Sequence, residues 1–375
     1  MENLSLFDFL PEEEAAEYRP KKSTDWRWSF ADYPKEKNGL KVFSCFACGG
    51  GSTMGYKLAG CEVLGCCEID PRMNETYIKN HNPKHNFLMD IRDFNRIPNE
   101  ELPPELFDLD ILDGSPPCTT FSIAGDREAS WGKKKKFREG QAEQTLDDLS
   151  FVFIDTVEKL QPKCVIMENV EGLIQGKAWG YVQRIYKQFS DIGYKVHHWL
   201  LKGEQMGVPQ KRHRVFFVAV KKENPIDLLS LDMSFNYEPV TYGQIKEGEV
   251  TPLGENTLFR ELTLAALPHE KCIADVNMRL HNKNSGFQSI FVDDQSIIPT
   301  QSANPVIIDR NKIAYISKET IRNAQTFPQD YDFVKFTYTN IGYICGMSVP
   351  PLMIKRIVNR LIESGVLQTN AEQHP

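Results

Sequence analysis

From residue 41 to residue 220 the chain repeats one pattern, and that pattern restricts its fold more than any other feature. A short apolar run ends on an acid or a glycine turn, and a stretch with helical spacing follows. The runs are "KVFSCFA", "CEVLGCCEID", "HNFLMDIRD", "LFDLDILDG" and "KCVIMEN", then "YKVHHWLL" and "RVFFVAV". Helices are expected at "MGYKLAG", 149–159 and 180–189. Buried strands alternating with helices predict an α/β fold with a doubly wound, mostly parallel sheet. Such sheets bind ligands at the C-terminal ends of their strands, where the acids and one cysteine of this chain fall.

The rhythm is lost after Val220. Residues 223–297 read as a loop-rich inserted module, and 298–368 as a return to the main domain with helices at 318–326 and 350–364. Residues 41–222 form the expected catalytic and cofactor-binding domain. Residues 1–40 are polar, acidic and Pro-interrupted, an extension expected to be loosely ordered or to pack late. Residues 369–375 are a tail.

The chain has 375 residues, 41% of them apolar, enough for a large core. No run reads as a membrane span and the N-terminus lacks a secretory pattern, so a soluble, intracellular protein is expected. Nine cysteines, an odd number, then predict reduced thiols. Cys45 and Cys48 have metal-like spacing, but no second such pair follows. With Cys66 and Cys67 they read as core or loop thiols, and no metal site is expected. The formal charge of −7 disfavours nucleic-acid binding over the whole surface, but a basic groove is compatible with it.

Five constellations carry chemistry. "FACGGGSTMG" places three glycines between a strand and a helix, where backbone can approach a ligand; a plain tight turn is the alternative. Glu68, at the next strand end, offers a carboxylate to both hydroxyls of a ribose, and Ile69 an apolar cover for an adenine. Asp90, at the third strand end, suits the adenine amino group. One sugar and one base without a phosphate clamp point to a nucleoside cofactor such as S-adenosyl-L-methionine. "GSPPC" holds Cys118 in a stiff turn after a strand, which suits a nucleophile better than a packing residue. In "VIMENV", Glu168 ends an apolar strand; desolvation of such a carboxyl favours its protonated form, while a polar strand end beside a helix-capping Asn169 is the alternative. In "VPQKRHRVFF", Arg212 and Arg214 share one strand face. Lys133, Lys134, Lys135 and Lys136 follow the cysteine loop, as a solvated surface or a phosphate grip.

These motifs, in this order, resemble the C5-cytosine DNA methyltransferases over most of the chain from residue 41 to 367. The resemblance implies a Rossmann-like S-adenosylmethionine-dependent methyltransferase fold, with 223–297 as the target-recognition domain. It implies that the Cys118 thiolate adds to C6 of a flipped-out cytosine in double-stranded DNA, and that Glu168 bonds N3 while Arg212 and Arg214 complete the catalytic set. The implied cofactor residues are Phe46, Gly50, Gly51, Glu68, Ile69, Asp90, Ile91, Pro117 and Leu149. The implied DNA contacts are Ser122, Lys133 to Lys136, Phe287 and Gln288. A monomer in a bacterial or phage-encoded setting, with a cognate restriction endonuclease as partner, completes the expectation.

The chain departs from the family in several places. Ser44 stands where an acid is usual, Cys48 where a glycine is, Thr119 where a glutamine is and Met347 where an asparagine is. Ile344-Cys345-Gly346 replaces Gln-x-Gly, and Glu319-Thr320 replaces Arg-Glu. A transfer-RNA cytosine methyltransferase and a non-catalytic DNA-binding regulator are the two other readings.

Overall fold

Seven strands form the central sheet of the computed structural model, which describes residues 19–117, 149–286 and 288–370. In chain order the first eight strands are β1 (Lys41–Cys45), β2 (Glu62–Glu68), β3 (His85–Leu88), β4 (Ile111–Gly114), β5 (Cys164–Val170), β6 (Tyr194–Lys202), β7 (Gln210–Lys211) and β8 (His213–Lys221). The sheet order is β3-β2-β1-β4-β5-β8-β6. Strands β1 to β5 run parallel, and β8 is antiparallel to both β5 and β6. The expected doubly wound sheet is therefore present. Its order reverses between β1 and β4, which opens a crevice at their C-terminal ends.

Alternating side chains divide the core into two layers. Val42, Ile111, Ile166 and Phe216 face one side, where they pack with helix α1 (Gly51–Leu58) and the last helix. Phe43, Leu112, Val165 and Phe217 face the other. There they meet α3 (Ile91–Arg96), α4 (Leu149–Leu160) and α5 (Trp179–Asp191). Helix α2 (Pro71–His81), which the sequence pattern did not reveal, has clear local causes. The Asp70 side chain accepts from the N–H groups of Arg72 and Met73, Pro71 opens the first turn, and Asn82 ends the helix in the left-handed region.

The inserted region is more regular than its sequence. It holds α6 (Tyr242–Ile245), β9 (Thr251–Pro252), α7 (Leu258–Leu264), α8 (Ile273–His281) and β10 (Ser289–Val292). Then come β11 (Ile298–Pro299), β12 (Val306–Asp309) and β13 (Ala314–Tyr315). A second sheet, β10-β12-β13-β9, encloses a small core of Leu253, Leu262, Ile273, Val276, Phe291 and Ile308. This sheet crosses the expected boundary at 297/298. Strand β11 pairs with β7 of the main domain, and the chain then goes back to complete the small sheet. Elements of two to nine residues are too short to show a period.

Among the described residues after β13 there are three helices, not two: α9 (Lys318–Ala324), α10 (Tyr338–Met347) and α11 (Pro351–Glu363). The stretch Tyr338–Glu363 is long and apolar enough to cross a membrane, contrary to expectation, but 78% of its most apolar window is buried in the core. The described part of the N-terminal extension is also packed rather than loose. Trp28 is 6% exposed, and its Nε1–H donates to the Thr326 carbonyl at 2.8 Å. Asp25 pairs with Lys355 at 3.1 Å and Arg356 at 2.8 Å, both on α11.

Candidate active site

The C-terminal ends of β1, β2, β4 and β5 surround a cavity of about 300 Å³. Phe46 and Cys48 enter it from the loop after β1, Glu68 and Ile69 from the end of β2, and Met89, Asp90 and Ile91 from the turn after β3. Ser115, Pro116 and Pro117 come from the loop after β4, Leu149 from the start of α4, Glu168 from β5, and Arg212 and Arg214 from beside and within β8. Tyr343, Gly346 and Met347 close it from α10.

One side of the cavity combines acceptors with apolar walls. Glu68 is 6% exposed. Its Oε2 accepts from the Cys48 N–H and its Oε1 from the Asp70 N–H, each at 2.8 Å. Burial pushes the Glu68 carboxyl above its ordinary range, and the backbone donors oppose that shift. Asp90 caps α3 by accepting from the Arg92 N–H at 2.8 Å, and the Arg92 guanidinium lies 3.2 Å from its other oxygen. Phe46, Ile69, Met89, Ile91 and Leu149 supply the apolar surface. A buried carboxylate with free lone pairs, set between such walls, suits a nucleoside.

The other side carries an ion pair. Arg214 Nε lies 2.8 Å from Glu168 Oε1, with the two side chains 14% and 12% exposed. The isolated, desolvated carboxyl expected from the apolar strand is thus half of a buried pair. Asn169 caps no helix: its Nδ2 donates to the Pro116 carbonyl at 3.3 Å, which ties the end of β5 to the Pro-Pro loop. Cys118 follows Pro117 in the chain and lies outside the described residues, as do Ser122, Lys133 to Lys136 and Phe287. Gln288 is exposed beside β10 and does not line the cavity.

Three expected site residues have other work. Arg212 is 2% exposed, and its guanidinium donates to main-chain carbonyls: Gln301 at 3.1 Å, Gly346 at 3.1 Å and Ser348 at 3.0 Å. It clasps the wall of the cavity, and desolvation lowers its pKa to about 9. Gly50 and Gly51 do not line the cavity. Gly50 has φ +85°, and a Cβ there would lie 2.0 Å from His81 Nε2. A Cβ on Gly51 would lie 2.1 Å from the Val349 carbonyl oxygen. These glycines let the loop pack against α2 and the segment before α11.

Several lining residues were not anticipated. Asp70 caps α2 and accepts from the Tyr343 hydroxyl at 3.1 Å. The "IDP" sequence signals the cap but not the tertiary partner. His213, between the two arginines, does not line the cavity; it lies 2.8 Å from Glu204 and 3.4 Å from Glu171. Cys45, Cys66 and Cys67 are buried, as expected of core thiols, and burial pushes each thiol up. Among the described residues no group of three His, Cys, Asp or Glu side chains is arranged to hold a metal.

Asp113, on β4 beneath the cavity, is 3% exposed. Its Oδ2 accepts from the Ser44 hydroxyl at 2.6 Å and its Oδ1 from the Tyr56 hydroxyl at 3.0 Å. Burial pushes this carboxyl up to about 7, against the pull of the hydroxyls.

Residues 40–363 match the family described as C-5 cytosine-specific DNA methylase. Type II methyltransferase M.FnuDI of Fusobacterium nucleatum is 33% identical over 184 residues, 49% of this chain and 48% of that protein. The chain thus spans about half the length of the first such curated relative. Type II methyltransferase M.HindV of Haemophilus influenzae is 25% identical over 86% of this chain and 96% of its own length. A solved structure of a mutant form of Spodoptera frugiperda DNMT2 superposes with a TM-score of 0.61 and 14% identity, covering 86% of this chain and 100% of that one. At that identity the likeness is one of fold.

The buried Asp113 carboxyl implies a pH dependence with a definite sign. Its folded pKa of about 7 lies above the ordinary value of 3.8, so the folded state binds more protons between those limits. Its contribution to stability is full below about pH 4 and is lost as pH rises to about 7. Asp113→Asn, which cannot ionise, removes a pH-dependent loss on the order of 4 kcal/mol. Urea denaturation at pH 5 and pH 8 is expected to show a smaller difference for the variant than for the wild type; equal differences would mean that this carboxyl is not the cause.

Proposed function

The chain belongs to the C-5 cytosine-specific DNA methylase family, and on that premise we propose that it transfers a methyl group from S-adenosylmethionine to C5 of cytosine in duplex DNA. The observation that carries this reading is the convergence, in one cavity, of Glu68 and Asp90, the Pro116-Pro117 turn, and the Glu168–Arg214 pair.

Glu68 would accept from the ribose hydroxyls and Asp90 from the adenine amino group, and Phe46, Ile69 and Ile91 would cover the base. Bound S-adenosylmethionine would supply an electrophilic methyl group. Cytosine C5 is a poor nucleophile, and the Cys118 thiolate activates it by adding to C6. The displaced electron pair moves toward N3, which takes the proton that it shares with the Glu168 carboxyl, a proton acquired from solvent as the base enters. Arg214, 2.8 Å from that carboxyl, stabilises the carboxylate left behind. The enamine so formed is nucleophilic at C5 and accepts the methyl group. Loss of the C5 proton to a solvent base then expels the thiolate and restores the aromatic ring. Glu168 takes back its proton from N3, so no net charge remains. A stacked, paired cytosine cannot meet both Cys118 and Glu168, so the base must be flipped out.

The M.FnuDI and M.HindV relatives are named as type II methyltransferases, which supports a restriction endonuclease as the functional partner. The same family premise supports a soluble monomer. Sequence recognition falls to the second sheet and the helices around it, the part of the chain with no strand in the central sheet.

Cys118→Ser is expected to abolish methylation of duplex DNA by labelled cofactor while cofactor affinity stays within about threefold. DNA carrying 5-fluorocytosine is expected to trap an adduct on Cys118, located by mass spectrometry; transfer to transfer RNA but not to DNA would support the RNA reading instead. Glu68→Ala is expected to weaken S-adenosylmethionine binding by roughly 1.5–3 kcal/mol in calorimetry, and unchanged affinity would remove Glu68 from the cofactor site. Exchange of 251–315 with the same region of a relative is expected to move the methylated sequence in bisulfite sequencing, and a chimera that keeps the original sequence would place specificity in the central domain.

A further inference from the structure

Asp113 takes no part in the chemistry above, yet it lies beneath both loops that the reaction requires. Ser44 and Asp113 face each other in the parallel β1–β4 register, one residue before the end of each strand. Past Ser44 the chain runs into Phe46 and Cys48 of the cavity wall, and past Asp113 into Ser115, Pro116 and Pro117. The two Asp113 oxygens have different partners: Oδ2 accepts from Ser44 on β1, and Oδ1 from Tyr56 on α1. Those hydroxyls lie on either side of the glycine turn, one before it and one after. A single carboxyl on β4 thus grips both ends of the glycine loop. Ser115 adds a second link above it, donating from its hydroxyl to the Phe46 carbonyl at 3.2 Å.

The chemistry of the pair calls for one carboxyl and no more. The two buried hydroxyl donors use separate oxygens of one carboxyl, a reach that a serine's single oxygen does not offer. Two carboxylates at these positions would face each other about 5 Å apart on adjacent strands, buried and of like charge. The resemblance to the methyltransferase family implies an acid at position 44, where this chain has serine. The strand directly opposite carries the acid.

We propose that Asp113 is a positioning residue for the cofactor loop, that it supplies from β4 the carboxyl which the family resemblance implies on β1, and that this shared carboxyl sets the cofactor loop against the Pro116-Pro117 turn. The proposal rests on the reading of the cavity as an S-adenosylmethionine site. A carboxyl that merely filled the core would affect melting temperature. One that positions the loop affects cofactor affinity and the rate of transfer at temperatures where every variant is folded.

The test is a reciprocal exchange in the full chain: Ser44→Asp, Asp113→Ser and the two together. Titration calorimetry with S-adenosylhomocysteine and single-turnover methylation of duplex DNA at saturating cofactor are the readouts. Each single substitution is expected to weaken binding and slow transfer at least tenfold, and the double substitution to recover both to within threefold of wild type. A double variant no better than the weaker single variant overturns the proposal, as does wild-type affinity in Asp113→Ser. Should a single variant not fold, the milder Ser44→Ala, Asp113→Asn and their double form a cycle. A coupling of at least fivefold in S-adenosylhomocysteine affinity is expected there, and one within twofold of unity overturns the proposal. Wild-type protein that binds S-adenosylhomocysteine but methylates no DNA defeats the proposed reaction and leaves the affinity exchange decisive. Wild-type protein that binds none overturns the cofactor reading and this proposal with it.

Discussion

A buried guanidinium holds the cavity together. Placing the Arg212 charge in the interior costs several kcal/mol of solvation, and the fall of its pKa to about 9 reflects that cost. Charge-assisted hydrogen bonds to three main-chain carbonyls offset it. The carbonyls belong to residues 89, 134 and 136 positions further along the chain. One planar fork of donors therefore fixes the segment after β11 and the end of α10 against the strand that carries Arg214. A lysine has the charge but not the fork, and would not span the same three oxygens. Gly346, held by this clasp, and Met347 beside it line the same cavity as the Glu168–Arg214 pair.

The acids around the cavity are used twice. Asp70 and Asp90 end strand-to-helix turns, and each caps the helix that follows. Glu68 accepts two backbone N–H groups. These bonds fix the carboxylates in place at the cavity wall. Local folding requirements and the proposed ligand contacts therefore favour the same residues. The glycine loop works differently. Its underside is occupied by His81, Tyr331 and Val349, and the Tyr331 hydroxyl donates to the Gly49 carbonyl at 2.5 Å. Side-chain bulk on the loop would collide with protein before it met a ligand.

Much of the central domain was legible in the sequence because its signals are local. A buried parallel strand is a continuous apolar run, and the residue at its end is placed at the crevice by the topology alone. Glu68, Asp90 and Glu168 were placed at the crevice in this way, and all three line the cavity. Signals failed where the deciding contact is distant. Arg212 and Arg214 look equivalent at a spacing of two, but one meets carbonyls from the end of the chain and the other meets Glu168. The extension with Trp28 looks like a polar tail because its partner, Thr326, is 298 residues away. The small sheet escaped notice because its strands are two to four residues long and come from both sides of the expected boundary.

The sequence by itself determined the doubly wound sheet, the strand ends that carry chemistry, and the order of motifs that identifies the family. Those properties follow from apolar periodicity and from residue types at fixed short spacings. Only the tertiary structure decided which arginine clasps and which pairs, why the loop needs its glycines, and that Asp113 stands opposite Ser44 with its carboxyl shared between β1 and α1. Each of these depends on the register of strands or helices far apart in the chain. Register is set by the packing of the whole core, and no local window of sequence contains it.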